Sequence, residues 1–152
     1  MTVTFTLNGR AVTWDVAPDE PLLDALRRHG LVSVRRGCDT AACGTCTVLL
    51  DGKPVPSCAV PAPRVDGHTV VTVEGAGEDA RRLAEALTAE GADQCGWCGP
   101  ALVLSVLALR EENPAPDDAE LDHYLAGNLC RCTGYESQRR AIREFLAEKS
   151  KG

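Results

Sequence analysis

The chain has 152 residues, 44% of them hydrophobic and 25% charged, the profile of one ordinary globular domain or two small ones. Sixteen Lys and Arg against 22 Asp and Glu leave a net charge of -6, which argues against the basic footprint of a nucleic-acid binder. The longest apolar run, Ala101 to Leu109, falls far short of the ~20 residues that span a bilayer. The alternating start, Met1 to Arg10, reads as neither an export signal nor a twin-arginine leader, so the expected location is cytoplasmic.

In chain order, Val3 to Leu7 and Val12 to Val16 alternate apolar and polar residues around Asn8-Gly9, which predicts a β-hairpin. Asp19-Glu20-Pro21 has the acids and the early proline of a helix start; Leu22, Leu23 and Leu26 line one face, and Gly30 can close the helix. Residues 37 to 46 hold three cysteines and two glycines and read as a loop. Thr47 to Leu50 predicts a strand, Asp51-Gly52 a turn, Lys53 to Ser57 a short return, and Thr69 to Val73 a further strand. The first 75 residues are therefore expected to form a small mixed sheet crossed by one helix.

After Gly75-Ala76-Gly77 the periodicity becomes helical. Helices are expected over Ala80 to Ala89, from Pro100 to about Glu111, from a cap at Asp117 or Asp118 to near Gly127, and from about Ser137 to Lys149. The breaker Asn113-Pro114-Ala115-Pro116 ends the second of them. Gly75-Ala76-Gly77-Glu78-Asp79-Ala80 formally fits a dinucleotide fingerprint, but two acids would sit beside the pyrophosphate, so it reads as an interdomain linker. The division falls at residues 1–76 and 77–152. Halves this small have marginal cores, and aromatic residues make up only 4% of the chain, so each half calls for an added constraint.

Eight cysteines supply it. They fall into two sets of four, Cys38, Cys43, Cys46 and Cys58, then Cys95, Cys98, Cys130 and Cys132. A reducing cytosol disfavours disulfides, and four thiolates per set suit a metal or an iron–sulfur cluster. Cys38-x4-Cys43-x2-Cys46 with a later fourth cysteine has the spacing of plant-type [2Fe–2S] sites. Structural zinc sites more often pair two CxxC knuckles. In the second set, Cys95-Gly96-Trp97-Cys98 lies just ahead of a helix and Cys130-Arg131-Cys132 between two others, so two inter-helix turns can converge on one four-sulfur site, of zinc or of iron. A thioredoxin-like use of the CxxC would need a βαβ setting that this stretch lacks. Trp97 can pack over that site, against a partner, or in a core; Arg131 can tune a cluster or merely neutralise charge. The three histidines are scattered and read as surface residues, and the run from Arg139 to Arg143 as a solvated helix face.

Gly37-Cys38-Asp39-Thr40-Ala41-Ala42-Cys43-Gly44-Thr45-Cys46-Thr47 resembles the first cluster motif of the molybdenum hydroxylases. That family includes xanthine dehydrogenase, aldehyde oxidoreductase and the small subunit of carbon monoxide dehydrogenase. Gln94-Cys95-Gly96-Trp97-Cys98 and Gly127-Asn128-Leu129-Cys130-Arg131-Cys132-Thr133-Gly134-Tyr135 resemble the second motif. Past Tyr135 the family usually has an apolar pair, where this chain has Glu136-Ser137-Gln138.

The resemblance implies an α+β chain, a ferredoxin-like β-grasp domain followed by a four-helix bundle, each holding a [2Fe–2S] cluster. It implies a large partner subunit with a molybdenum–pterin centre and usually a second partner with FAD. The second cluster would lie nearest the pterin, with Gln94 and Cys132 placed to touch it. The loop around Gly44 and Thr45 would face the flavin. The chain would relay electrons singly while its partners oxidise an aldehyde, an N-heterocycle, a purine or carbon monoxide, and would itself do no acid–base chemistry on substrate. The alternatives are a free-standing two-cluster ferredoxin and a zinc-stabilised interaction module.

Overall fold

In the computed structural model, which describes residues 1–149, the chain starts with the hairpin its turn dictates. β1 (Thr2–Leu7) and β2 (Arg10–Asp15) pair antiparallel, with Thr2 opposite Asp15 and Leu7 opposite Arg10. Asn8 and Gly9 both take positive φ, 50° and 79°, the turn whose twist matches that of the strands. Alternation sends Val3, Phe5 and Leu7 inward and leaves Thr2 and Thr4 outside.

Pro21 sets the entry of α1 (Leu22–Arg28), which buries Leu22, Leu23, Ala25 and Leu26 completely. Each leucine taken fully out of water contributes roughly 1.5–3 kcal/mol. β3 (Thr47–Leu50) and β4 (Lys53–Pro56) form a second hairpin around Asp51-Gly52. β5 (Thr69–Val71) then enters between the two hairpins, parallel to β1 and antiparallel to β3, giving the order β2-β1-β5-β3-β4.

The sequence predicts this last strand through Val73, and the structure stops it at Val71. The reason is local. The Thr72 N–H donates to Asn8 Oδ1 at 2.9 Å, the Asn8 amide donates to the Thr72 hydroxyl at 2.9 Å, and the chain turns through a 3₁₀ segment at Val73–Gly75.

Four helices complete the described residues: α2 (Gly77–Ala89), α3 (Gly99–Glu112), α4 (Asp118–Leu125) and α5 (Glu136–Lys149). Every residue of α3 from Ala101 to Arg110 is buried, as expected of a helix that is apolar all round. It packs against α2 and α4 on one side and against β3 and β4 on the other. α4 starts on a capping box: the Asp117 carboxylate accepts the Glu120 N–H and the Glu120 carboxylate accepts the Asp117 N–H, both at 2.8 Å.

The arginines of α5 are less solvated than their charge suggests. Arg139 pairs with Asp122, Arg140 with Glu90, and Arg143 with Asp118 and the Pro116 carbonyl, so the run pins α5 to its neighbours. Two separate apolar cores result. One gathers Phe5, Trp14, Leu22, Leu26, Val48 and Val70, and the other Leu83, Leu87, Val106, Leu121, Ile142 and Phe145.

Candidate metal centres

The loop from Gly37 to Cys46 joins α1 to β3 and carries three thiols; the fourth, Cys58, lies in the 3₁₀ turn Ser57–Ala59 that follows β4. The Ser57 hydroxyl donates to the Cys46 carbonyl at 2.7 Å and its N–H to the same oxygen at 3.3 Å, which fixes the later segment against the loop. The thiols meet in twos, Cys38 with Cys43 and Cys46 with Cys58, within hydrogen-bonding reach.

Their electrostatics differ. Backbone N–H groups of Cys43, Thr40 and Ala42 aim at the Cys38 sulfur and, with the Cys43 thiol, pull Cys38 down to about 6. Burial, reinforced by the Cys46 thiol, pushes Cys58 up to about 11. The loop therefore favours charge on Cys38 even before any positive centre is bound.

The second set assembles from two inter-helix turns. Cys98 is the residue immediately before α3, so its sulfur sits near the positive end of that helix. Cys130 and Cys132 lie in the turn between α4 and α5. Again the thiols pair, Cys98 with Cys130 and Cys95 with Cys132. A cavity of about 510 Å³ opens among all four, with Gln94, Thr133 and Gln138 on its wall.

Donors point at the sulfurs. The Trp97 N–H reaches Cys95 at 3.4 Å, the Thr133 hydroxyl reaches Cys130 at 3.1 Å, and the Gln138 amide reaches Cys98 at 3.5 Å. Burial pushes Cys98 up to about 11. Burial also acts upward on Cys130, but the Thr133 hydroxyl and the N–H groups of Cys132 and Thr133 bring it below its ordinary value.

The two sites touch. The Leu129 N–H, one residue before Cys130, donates to the Cys43 carbonyl at 3.0 Å. Gly44 makes this approach possible: at φ 72°, a Cβ on it would lie 2.0 Å from the Gly127 carbonyl oxygen. Arg35 closes the other side, its guanidinium 5.0 Å from the Trp97 ring centroid and donating to the Gly96 carbonyl. Trp97 is 47% exposed and is no core aromatic.

The expected residues divide by position. Gln94, Cys95 and Cys132 are exposed, on a rim with Trp97, Leu129 and Tyr135. The loop around Gly44 and Thr45 is the one expected to face a flavin, and within it these two residues lie beneath the exposed segment. Gly44 lies under the Gly127 carbonyl, and Thr45 is buried, its hydroxyl at 3.2 Å from both the Arg35 carbonyl and the Cys43 sulfur. Gly44 is covered by the facing half and Thr45 by contacts within its own loop, and the exposed residues of that loop are Gly37 and Asp39 to Ala42. Sequence reasoning missed Arg35, Thr133 and Gln138. Thr133 could have been found beside its ligand, whereas nothing local marks Arg35 or Gln138.

The donor sets fit binuclear cores. Among the described residues, no three His, Cys, Asp or Glu side chains gather as one metal ion would require. A [2Fe–2S] unit is wider and takes two sulfurs on each iron, which is the two-and-two pairing seen at both sites. Fold and sites together define a two-domain protein of the [2Fe–2S] electron-transfer class.

Residues 5–72 match the family model described as "2Fe-2S iron-sulfur cluster binding domain", and residues 72–143 match that described as "[2Fe-2S] binding domain". The chain is 42% identical over 146 residues to the nicotinate dehydrogenase small FeS subunit of Eubacterium barkeri, covering 94% of this chain and 93% of that one. It is 39% identical over 141 residues to the xanthine dehydrogenase iron-sulfur-binding subunit of Escherichia coli O157:H7, covering 90% and 88%. Among solved structures, quinoline 2-oxidoreductase from Pseudomonas putida 86 superposes with a TM-score of 0.91 at 37% identity, covering 99% of this chain and 96% of that chain. The chain belongs to the small [2Fe–2S] subunits of the molybdenum hydroxylases, and is an electron-transfer subunit of enzymes of the xanthine and nicotinate dehydrogenase type. Among the described residues no helix is long and apolar enough to cross a membrane.

Proposed function

We propose that Cys38, Cys43, Cys46 and Cys58 hold the first cluster in a unit spanning residues 1–76, and that Cys95, Cys98, Cys130 and Cys132 hold the second in a unit spanning 77–152. Electrons enter at the second cluster from a molybdenum–pterin centre in a large partner subunit. They leave singly through the first to FAD in another partner, or to a different acceptor. The partners oxidise an aldehyde, an N-heterocycle, a purine or carbon monoxide, in the cytoplasm, where reducing conditions keep the eight thiols free for iron.

One observation carries the relay: the 3.0 Å bond from the Leu129 N–H to the Cys43 carbonyl joins the two cysteine loops through a single hydrogen bond. The exposed rim at Gln94, Cys95 and Cys132 supports the pterin side, with Gln94 and Cys132 as the contacts. On the acceptor side Asp39 to Ala42 are the residues a flavin subunit meets, with Gly44 and Thr45 acting from beneath by fixing the loop.

Iron and acid-labile sulfide analysis of the purified native protein tests the assignment, with about four of each expected per chain. Molybdenum-bearing and flavin-bearing polypeptides should copurify. A colourless zinc-loaded protein would return the interaction-module reading, and a brown protein that runs alone would make it a free-standing ferredoxin.

A further inference from the structure

We propose that Gln138 raises the reduction potential of the second cluster by donating a hydrogen bond to the sulfur of Cys98. This rests on the reading above that Cys98 is a ligand of that cluster.

Gln138 is the third residue of α5 and only 4% exposed. It lies on the stripe that continues through Ala141, Ile142, Phe145 and Leu146, all buried and all apolar. Helical spacing alone would put another apolar residue there. A buried amide is costly unless its groups find partners, and the Nε2 group finds one 3.5 Å away on the Cys98 sulfur. Among the described side chains of α5, no other buried polar one lies on that stripe. Cys98 itself is half-buried at the head of α3, so water competes little for the bond.

The consequence follows from charge. A reductant gives one electron to the ferric pair, no bond breaks and no proton moves, and the core with its four thiolates goes from about -2 to about -3. Part of the added charge spreads onto the sulfurs. An N–H dipole aimed at one of them stabilises the more negative state more than the less negative one, and burial strengthens the effect. Gln138 therefore favours the reduced form. The first set is served differently, by backbone N–H groups on Cys38 and the Thr45 hydroxyl beside Cys43.

The test is a redox titration of the holoprotein followed by low-temperature paramagnetic resonance, which resolves the two clusters. Gln138→Leu puts an apolar side chain of similar size in its place and removes the donor. The reduction equilibrium of the second cluster should fall about tenfold, 59 mV for one electron, while that of the first stays put. Gln138→Met gives a second apolar replacement if the leucine variant loses iron. A variant that retains both clusters with an unmoved second potential overturns the proposal, as does an equal shift of both.

A second measurement leaves Gln138 in place. With glutamine carrying ¹⁵N in its side chain, pulsed resonance of the reduced second cluster should show a coupled nitrogen that Gln94→Ala retains. Absence of that coupling also overturns the assignment. A native protein with only one cluster signal would instead strike at the ligand reading, since it leaves no second cluster for Gln138 to act on.

Discussion

Gly44 shows how much one missing Cβ can decide. Its φ of 72° is strained for any L side chain, and the atom that would be added falls 2.0 Å from a backbone oxygen of the facing loop. Neither penalty relaxes by turning a side chain, because the obstacle is main chain. Gly44→Ala should therefore cost about 3 kcal/mol, from backbone strain together with displacement of the Gly127 turn. Denaturant titration of the holoprotein reads the cost, and hydrogen exchange at the Leu129 amide should speed up as its bond to Cys43 loosens. An unchanged midpoint with unchanged exchange would mean that the halves are not held together here. The neighbouring Thr45 belongs to the same argument: it is buried and polar, and its hydroxyl is placed to hold the loop rather than to greet a partner.

The elements divide by how local their causes are. Both hairpins follow from their two-residue turns, Asn8-Gly9 and Asp51-Gly52, with positive φ at all four residues. α4 is short, eight residues, and depends on its start. Its capping box satisfies two otherwise orphaned N–H groups, so Asp117→Ala should cost about 1 kcal/mol. For a chain of this size that is a fall of about 2–4 °C in Tm, measured by thermal unfolding of the iron-loaded protein. Because α4 leads into the turn carrying Cys130 and Cys132, loss of the second cluster should begin earlier in the same scan. β5 is the opposite case. Its pattern continues to Val73, but Asn8, from a turn sixty-four residues away, takes the Thr72 backbone and ends the ladder.

At the scale of the molecule, two small cores are joined by α3, which packs on the sheet and on the bundle at once. The cysteine loops meet beside that joint. The two thiol sets are nonetheless built from different elements, so each should hold or lose its iron separately. Cys43→Ser should lower the iron content from about four to about two per chain and remove the signal of the first cluster alone. It keeps the Cys43 carbonyl and hence the bond to Leu129. Equal bleaching of both signals would show that the two halves assemble as one unit.

Turn chemistry, periodicity and the spacing within Cys38-x4-Cys43-x2-Cys46, Cys95-x2-Cys98 and Cys130-x-Cys132 are properties of near neighbours, and so the chain order of strands and helices and the plant-type spacing of the first cysteine set could be read from residues within a few positions of one another. The order of the strands, the covering of Gly44 by the Gly127 carbonyl, the Arg35 clasp on Gly96 and Trp97, and the reach of Gln138 to Cys98 depend on groups 20 or more positions apart. Local pattern fixes which face of an element is apolar, but which partner covers that face is settled only when the whole chain packs. The residues that link and tune the two centres belong to that second kind.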